Sequence, residues 1–202
     1  MRTAKILAVG LALCCAVSCS PRDFLTRRLA ADLISGADAF RAPQVFWLKT
    51  GIVSNKDFNS PESLVLQRRG WITGTAAPCP PSVEPSPCWD VVLSPIGVET
   101  FRPLIANSML TTNVVSIRVA RRQLIEITGI SKAGNSADVD FTWHWLPIND
   151  VGTALYDSGV QYRSTVAFRS YDDGWRVVTD PIRVSQPLED ALRNSQTTQS
   201  TP

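Results

Sequence analysis

Apolar residues along the chain follow three patterns: one unbroken run near the start, helical stripes through the first half, and two-residue alternation from about residue 113 onward. The unbroken run, Ile6 to Val17, carries no charge, follows Arg2 and Lys5, and ends at Ser18-Cys19-Ser20-Pro21-Arg22. A bilayer-spanning helix needs about 20 apolar residues, so this shorter run is expected to be the core of a signal peptide over residues 1–18. Directly after it, Ser20-Pro21-Arg22-Asp23 predicts a helix start, with Ser20 as N-cap, proline at the first helical position and a carboxylate near the positive end of the dipole. Phe24, Leu25, Leu29, Leu33, Ile34 and Ala37 then recur at helical spacing, with Arg22, Arg27, Arg28 and Asp32 largely off the stripe. The apolar face of this helix is expected to seal a sheet, a place on the membrane surface being the alternative.

Two short apolar runs follow, Val45-Phe46-Trp47-Leu48 and Gly51-Ile52-Val53. Ser60-Pro61-Glu62-Ser63 repeats the capped, proline-started signature before Leu64 to Arg69, and Gly70 ends that helix. Trp71-Ile72-Thr73 and Trp89 to Leu93 read as two strands joined by a proline-rich loop between Cys79 and Cys88. Further on, Val114 to Val119 and Leu124 to Ile130 are β-rich, and the alternation changes phase across Arg121-Arg122-Gln123, which predicts a bulge or bend there. After a turn at Lys132 to Asn135, Ala137, Val139, Phe141, Trp143 and Trp145 share one strand face, and Asp138, Asp140, Thr142 and His144 share the other. Thr153 to Tyr156 reads as a short helical stretch. Gln161 to Tyr171 and Trp175 to Val178 bracket Asp172-Asp173-Gly174, a strong hairpin signal. The tail from Ser185, rich in Gln, Ser and Thr, is expected to be mobile past a short helix over 187–193.

These elements predict an α+β fold: N-terminal helices with a short helix-hairpin unit, then a curved antiparallel sheet. The divisions are 1–18 signal peptide, 19–106 N-terminal α/β region with the Cys79–Cys88 loop, 107–184 antiparallel sheet, and 185–202 polar tail. Residues 61–98, with Gly70-Trp71-Ile72 after the helix and Val91-Val92-Leu93-Ser94-Pro95-Ile96-Gly97 on the returning strand, resemble the last helix and wing of winged-helix domains. That resemblance implies a packing unit only, since the helix carries just Arg68 and Arg69. Phe168-Arg169-Ser170-Tyr171-Asp172-Asp173-Gly174-Trp175-Arg176-Val177 resembles the closing hairpin of the SnoaL-like and ketosteroid-isomerase-like superfamily. Over residues 113–180 it implies a cone or cystatin-like α+β shape, and it implies no activity, because that superfamily holds enzymes and non-enzymes alike.

The cysteines change the picture most. Ala16-Val17-Ser18-Cys19 resembles the lipobox of bacterial lipoproteins, in which the cysteine thiol receives diacylglycerol before cleavage; Ala16 stands where leucine is usual. Small residues at Ala16 and Ser18 also suit a general signal peptidase, which would leave a freely secreted chain with an unmodified Cys19. The resemblance implies acylation, palmitate included, and an anchor in the bacterial cell envelope facing the periplasm. Ser20, in the place where an aspartate favours inner-membrane retention in that family, points to the outer membrane. Cys14 and Cys15 leave with the signal, so Cys79 and Cys88 remain as one pair in a compartment that permits disulfides. A metal site is the rival use of that pair, but the spacing lacks a nearby histidine or second cysteine pair.

Processing also removes Arg2 and Lys5, leaving eighteen basic against eighteen acidic residues in a mature chain of 184. A neutral chain gives no electrostatic basis for nucleic-acid binding. His144 is the sole histidine, and Asp140 lies about 13 Å along the same face, too far to orient it without a cross-strand partner. Asp138 with Asp140 is what solvation of a half-exposed strand produces, and Asp172-Asp173 fits turn chemistry better than a calcium loop. Trp143 and Trp145 are candidates for lining a pocket, or for core. Arg121 and Arg122, with Arg118, are candidates for an anionic headgroup, or plain edge charges. No cofactor and no metal is called for. The chain is therefore expected to be a lipid-anchored envelope protein acting as a non-catalytic binding or interaction module, with an envelope protein or an apolar ligand in the concavity of its sheet. The alternatives are a ketosteroid-isomerase-like enzyme using His144 with Asp140, and a purely structural envelope lipoprotein.

Overall fold

The structure, a computed structural model, describes residues 24–81, 87–105, 110–111, 113–178 and 185–187. Its first helix, α1 (Arg27–Gly36), begins later than Ser20-Pro21 predicts. Residues 24–26 are not helical: Thr26 is extended, and its hydroxyl accepts from the Leu29 N–H at 3.1 Å, so Thr26 is the N-cap. Ser20 itself lies outside the described residues. Leu25, Leu29, Leu33 and Ala37 nevertheless pack as the stripe requires, while Phe24 is exposed.

After α2 (Asp38–Arg41), strand β1 (Gln44–Lys49) leads through Thr50 into β2 (Gly51–Ser54). The two strands belong to different sheets, and Gly51, at φ +74°, makes the switch between them in a conformation that side chains resist. Short α3 (Asn55–Phe58) and α4 (Pro61–Arg68) follow, each capped by the serine before it, Ser54 and Ser60. Then come β3 (Ile72–Ala77), β4 (Cys88–Leu93) and α5 (Pro95–Ile105). The small sheet runs β2-β4-β3, all antiparallel, and the disulfide Cys79–Cys88 closes the loop between its last two strands with Cα atoms 5.2 Å apart.

The remaining strands are β5 (Leu110–Thr111), β6 (Val114–Ala133), β7 (Ser136–Pro147), β8 (Gln161–Tyr171), β9 (Gly174–Val177) and β10 (Ser185–Pro187), with α6 (Asp150–Leu155) between β7 and β8. The large sheet runs β1-β6-β7-β8-β10, with β5 on β6 and β9 on β8. Ser185 to Pro187 thus pair with β8, whereas residues 188–202 lie outside the described residues. The fold is α+β with a curled antiparallel sheet, and β1, from the N-terminal region, is one of its strands.

Two expected strands, Val114–Val119 and Leu124–Ile130, are one strand of 20 residues. No bulge falls at Arg121-Arg122-Gln123, where register with β7 is regular; the phase changes just before it, where β6 carries Val119 as an extra residue opposite Gln44/Val45 of β1 and Val119 and Ala120 are both buried, and two further shifts, against β7, lie at Leu124/Glu126 and Ile127/Gly129. Each inserts a residue opposite β7 and bends the strand, which curls the sheet. One face of the curl is covered in two places. α1, α2 and the inner residues of β7 and β8, including Phe141, Val166 and Phe168, make one core; α4, α5, α6 and the small sheet pack with Leu48, Ile117 and Val119 to make the other.

Candidate functional site

Strand β7 alternates as expected: Ala137, Val139, Phe141, Trp143 and Trp145 are all buried. On the opposite face Asp138 is exposed and Asp140 and His144 are half-buried, whereas Thr142 is buried between flanking strands. His144 and Asp140 are engaged separately. The imidazole Nδ1 lies 2.7 Å from the Ser158 carbonyl oxygen, and Nε2 lies 3.0 Å from Gln123 Oε1. Asp140 accepts instead from Arg163, at 3.2 Å, and from the Thr165 hydroxyl, both on β8. The structure brings each to a cross-strand partner and does not bring them together.

Trp143 and Trp145 stand edge to face at 5.2 Å, and the Trp143 indole N–H donates to Ser164 at 3.0 Å. Phe40 on α2 and Tyr162 on β8 pack on Trp143, so the pair forms part of the core. Arg122 lies directly over this aromatic face, and its guanidinium donates to the carbonyls of Ala39 and Ala42. Arg118 and Arg121 are exposed on the other side of β6. Asp173 pairs with Arg176 across the β8–β9 turn. Among the described residues no group of three His, Cys, Asp or Glu side chains gathers to hold a metal ion. Cys19 lies outside the described residues.

What the sequence did not single out is a groove of about 290 Å³ along the free edge of β1. All six residues of β1 line it, together with Asp57 and Phe58 of α3 and Glu62, Ser63 and Leu66 of α4. Side chains of a strand alternate between faces, so six consecutive residues line one groove only when it opens on the strand's edge. Among the described residues, β1 pairs with β6 on one side and is terminal in the sheet on the other. Lys49 spans one end of the groove to Asp57 at 2.8 Å, and this hydrogen bond holds the Asp57 carboxyl below the usual carboxylate range. At the other end Tyr156 hydrogen-bonds Gln44, and burial raises its phenol above the ordinary value. Trp47 stands 59% exposed beside the groove. The signal for this feature was present as Pro43 followed by a lone apolar run, but whether such a run is central or terminal in a sheet depends on residues far away in sequence.

Comparison with protein-family models, with curated proteins and with solved structures finds no match.

Proposed function

We propose that the protein is an envelope lipoprotein, anchored through Cys19 and facing the periplasm from the outer membrane, that acts as an interaction module without chemistry of its own. The observation that carries this is the separate engagement of His144 and Asp140: the imidazole is taken up by Gln123 and Ser158, the carboxylate by Arg163 and Thr165. A general base needs its orienting carboxylate and its substrate within hydrogen-bond reach, and this arrangement spends both groups on holding strands together. α1, α2 and the stacked Arg122 pack on the aromatic concavity, the expected seat of an apolar ligand, and this favours the β1 groove as the surface of the proposed module. The later helix start adjusts the geometry of anchoring. Seven residues, Ser20 to Thr26, separate Cys19 from α1 and span at most about 25 Å, so the domain works close to the bilayer.

Fractionation of cells expressing the wild type and Cys19→Ser tests the anchor. The wild type is expected with the outer membrane and the variant in the soluble periplasm; co-fractionation of both with membranes would contradict it. A His144→Gln variant is expected to retain every phenotype that the wild type complements.

A further inference from the structure

One end of the large sheet gathers exposed aromatic rings and cations. The β6–β7 turn and the β8–β9 hairpin lie side by side there, joined by the Ser170 N–H, which donates to the Asn135 carbonyl at 2.8 Å. Lys132, at the end of β6, holds its Nζ 5.8 Å from the centroid of the Phe24 ring and 5.2 Å from that of Trp175. The Arg176 guanidinium lies 5.2 Å from the ring of Tyr171. Phe24 is 57% exposed and Tyr171 44%, and Arg27, Arg28 and Arg169 are exposed around them. Residues 24–28, 131–138 and 169–176 carry five basic side chains against three acidic ones, Asp138, Asp172 and Asp173, in a mature chain that is neutral as a whole.

We propose that this end of the domain seats on an anionic bilayer surface, with Phe24 and Tyr171 at the headgroup boundary and Lys132, Arg27, Arg28 and Arg169 against the lipid phosphates. The inference rests on the anchor at Cys19 proposed above. The five residues from Cys19 to Phe24 span at most about 18 Å, so the tether holds this end nearest the headgroups. Rings with a cation beside them suit that boundary, where the ring meets the acyl region and the cation the phosphate. The β1 groove lies far from it: β1 pairs with Val114 to Ala120, and twelve residues of β6, about 40 Å of strand, separate Ala120 from Lys132. Seated in this way, the domain turns the small sheet and the groove away from the bilayer.

The test supplies the tether chemically. In the mature chain with the Cys79–Cys88 bond formed, Cys19 is the one free thiol, and it is coupled to a maleimide lipid in vesicles of phosphatidylcholine alone or of equal parts phosphatidylcholine and phosphatidylglycerol. Hydrogen–deuterium exchange then reads which segments the surface covers. Exchange over 131–136 and 169–175 is expected to slow about fivefold or more on the mixed vesicles relative to phosphatidylcholine, the factor that one net basic charge gains beside an anionic surface, while 44–49 and 72–77 stay unchanged. Combining Arg27→Gln, Arg28→Gln and Lys132→Gln, all at exposed positions, is expected to abolish the difference; Arg68→Gln with Arg69→Gln, beside α4, is expected to keep it. No slowing at the two turns, slowing centred on 44–49 or 72–77, or an equal loss in the Arg68/Arg69 variant would each overturn the proposal. In cells, a photocrosslinker at Tyr171 that captures a protein in place of lipid overturns it as well. Because the maleimide provides the attachment, failure of the seat and failure of the Cys19 anchor read out separately.

Discussion

The Arg122 guanidinium lies 4.5 Å from the centroid of the Trp145 ring, the residue directly opposite it in the β6–β7 ladder. From there Nη1 reaches the carbonyls of Ala39 and Ala42, at 3.1 and 3.0 Å, and ties α2 to the sheet. Removing those two bonds leaves two carbonyls with weaker partners and strips the cation from the rings. Arg122→Ala is expected to cost about 2–3 kcal/mol, and Arg122→Lys about 1–2 kcal/mol because it keeps charge and loses the planar group that lies over the rings. Urea denaturation at an unchanged m-value measures both.

The Cys79–Cys88 bond closes a short loop between the two strands of a hairpin, Cys88 sitting on the central strand of the small sheet. Its expected contribution, from restriction of the unfolded chain, is about 2–3 kcal/mol. Reduction, or Cys79→Ser with Cys88→Ser, should lower Tm by about 5–10 °C in calorimetry, without changing the far-ultraviolet dichroism of the large sheet.

Two helical glycines admit no side chain. A Cβ on Gly152 of α6 would lie 1.9 Å from the Val119 carbonyl oxygen on β6, and one on Gly97 of α5 would lie 1.9 Å from that of Trp71. Both contacts are with backbone, so the helix must move. Gly152→Ala and Gly97→Ala are each expected to destabilise by about 1–3 kcal/mol despite the better helix propensity of alanine. Chemical denaturation of the two variants checks this, and a neutral result at either site would refute the close packing described there.

The lowered Asp57 carboxyl has a defined acid signature. Because its folded pKa lies below the unfolded one, the unfolded chain binds the extra proton, and stability rises with pH across that interval. The contribution is complete above about pH 4 and drains as pH falls further; with both partners well exposed it amounts to less than about 0.5 kcal/mol. Lys49→Met should lower stability near neutrality by that small amount and flatten the stability-against-pH curve below pH 4, so that variant and wild type converge at low pH.

Local chemistry was legible where it decides structure by itself. Alternation placed five buried residues of β7, Ser60-Pro61 started α4, and Asp172-Asp173-Gly174 made the β8–β9 turn. What was not legible depends on partners distant in sequence. Arg122 reads as an outward charge and so breaks the apparent pattern of β6, whereas its cation points inward because two tryptophans from β7 receive it. Ser20-Pro21 carries the composition of a helix start, yet Thr26 caps the helix. Helix α5 went unseen because Pro95 and Pro103 suggest a loop; Pro95 takes the first turn, where a proline costs nothing, and Ser94 caps the Gly97 N–H. The β1 groove exists only because β6 covers one edge of β1 and not the other.

Intact-mass and peptide mass spectrometry of protein extracted from membranes tests the anchored module most directly. A mature chain that begins at Cys19 and carries a diacylglyceryl thioether and an acylated amino terminus is the predicted result. A chain that begins at Cys19 or Ser20 without lipid, or one that retains residues 1–18, would contradict it.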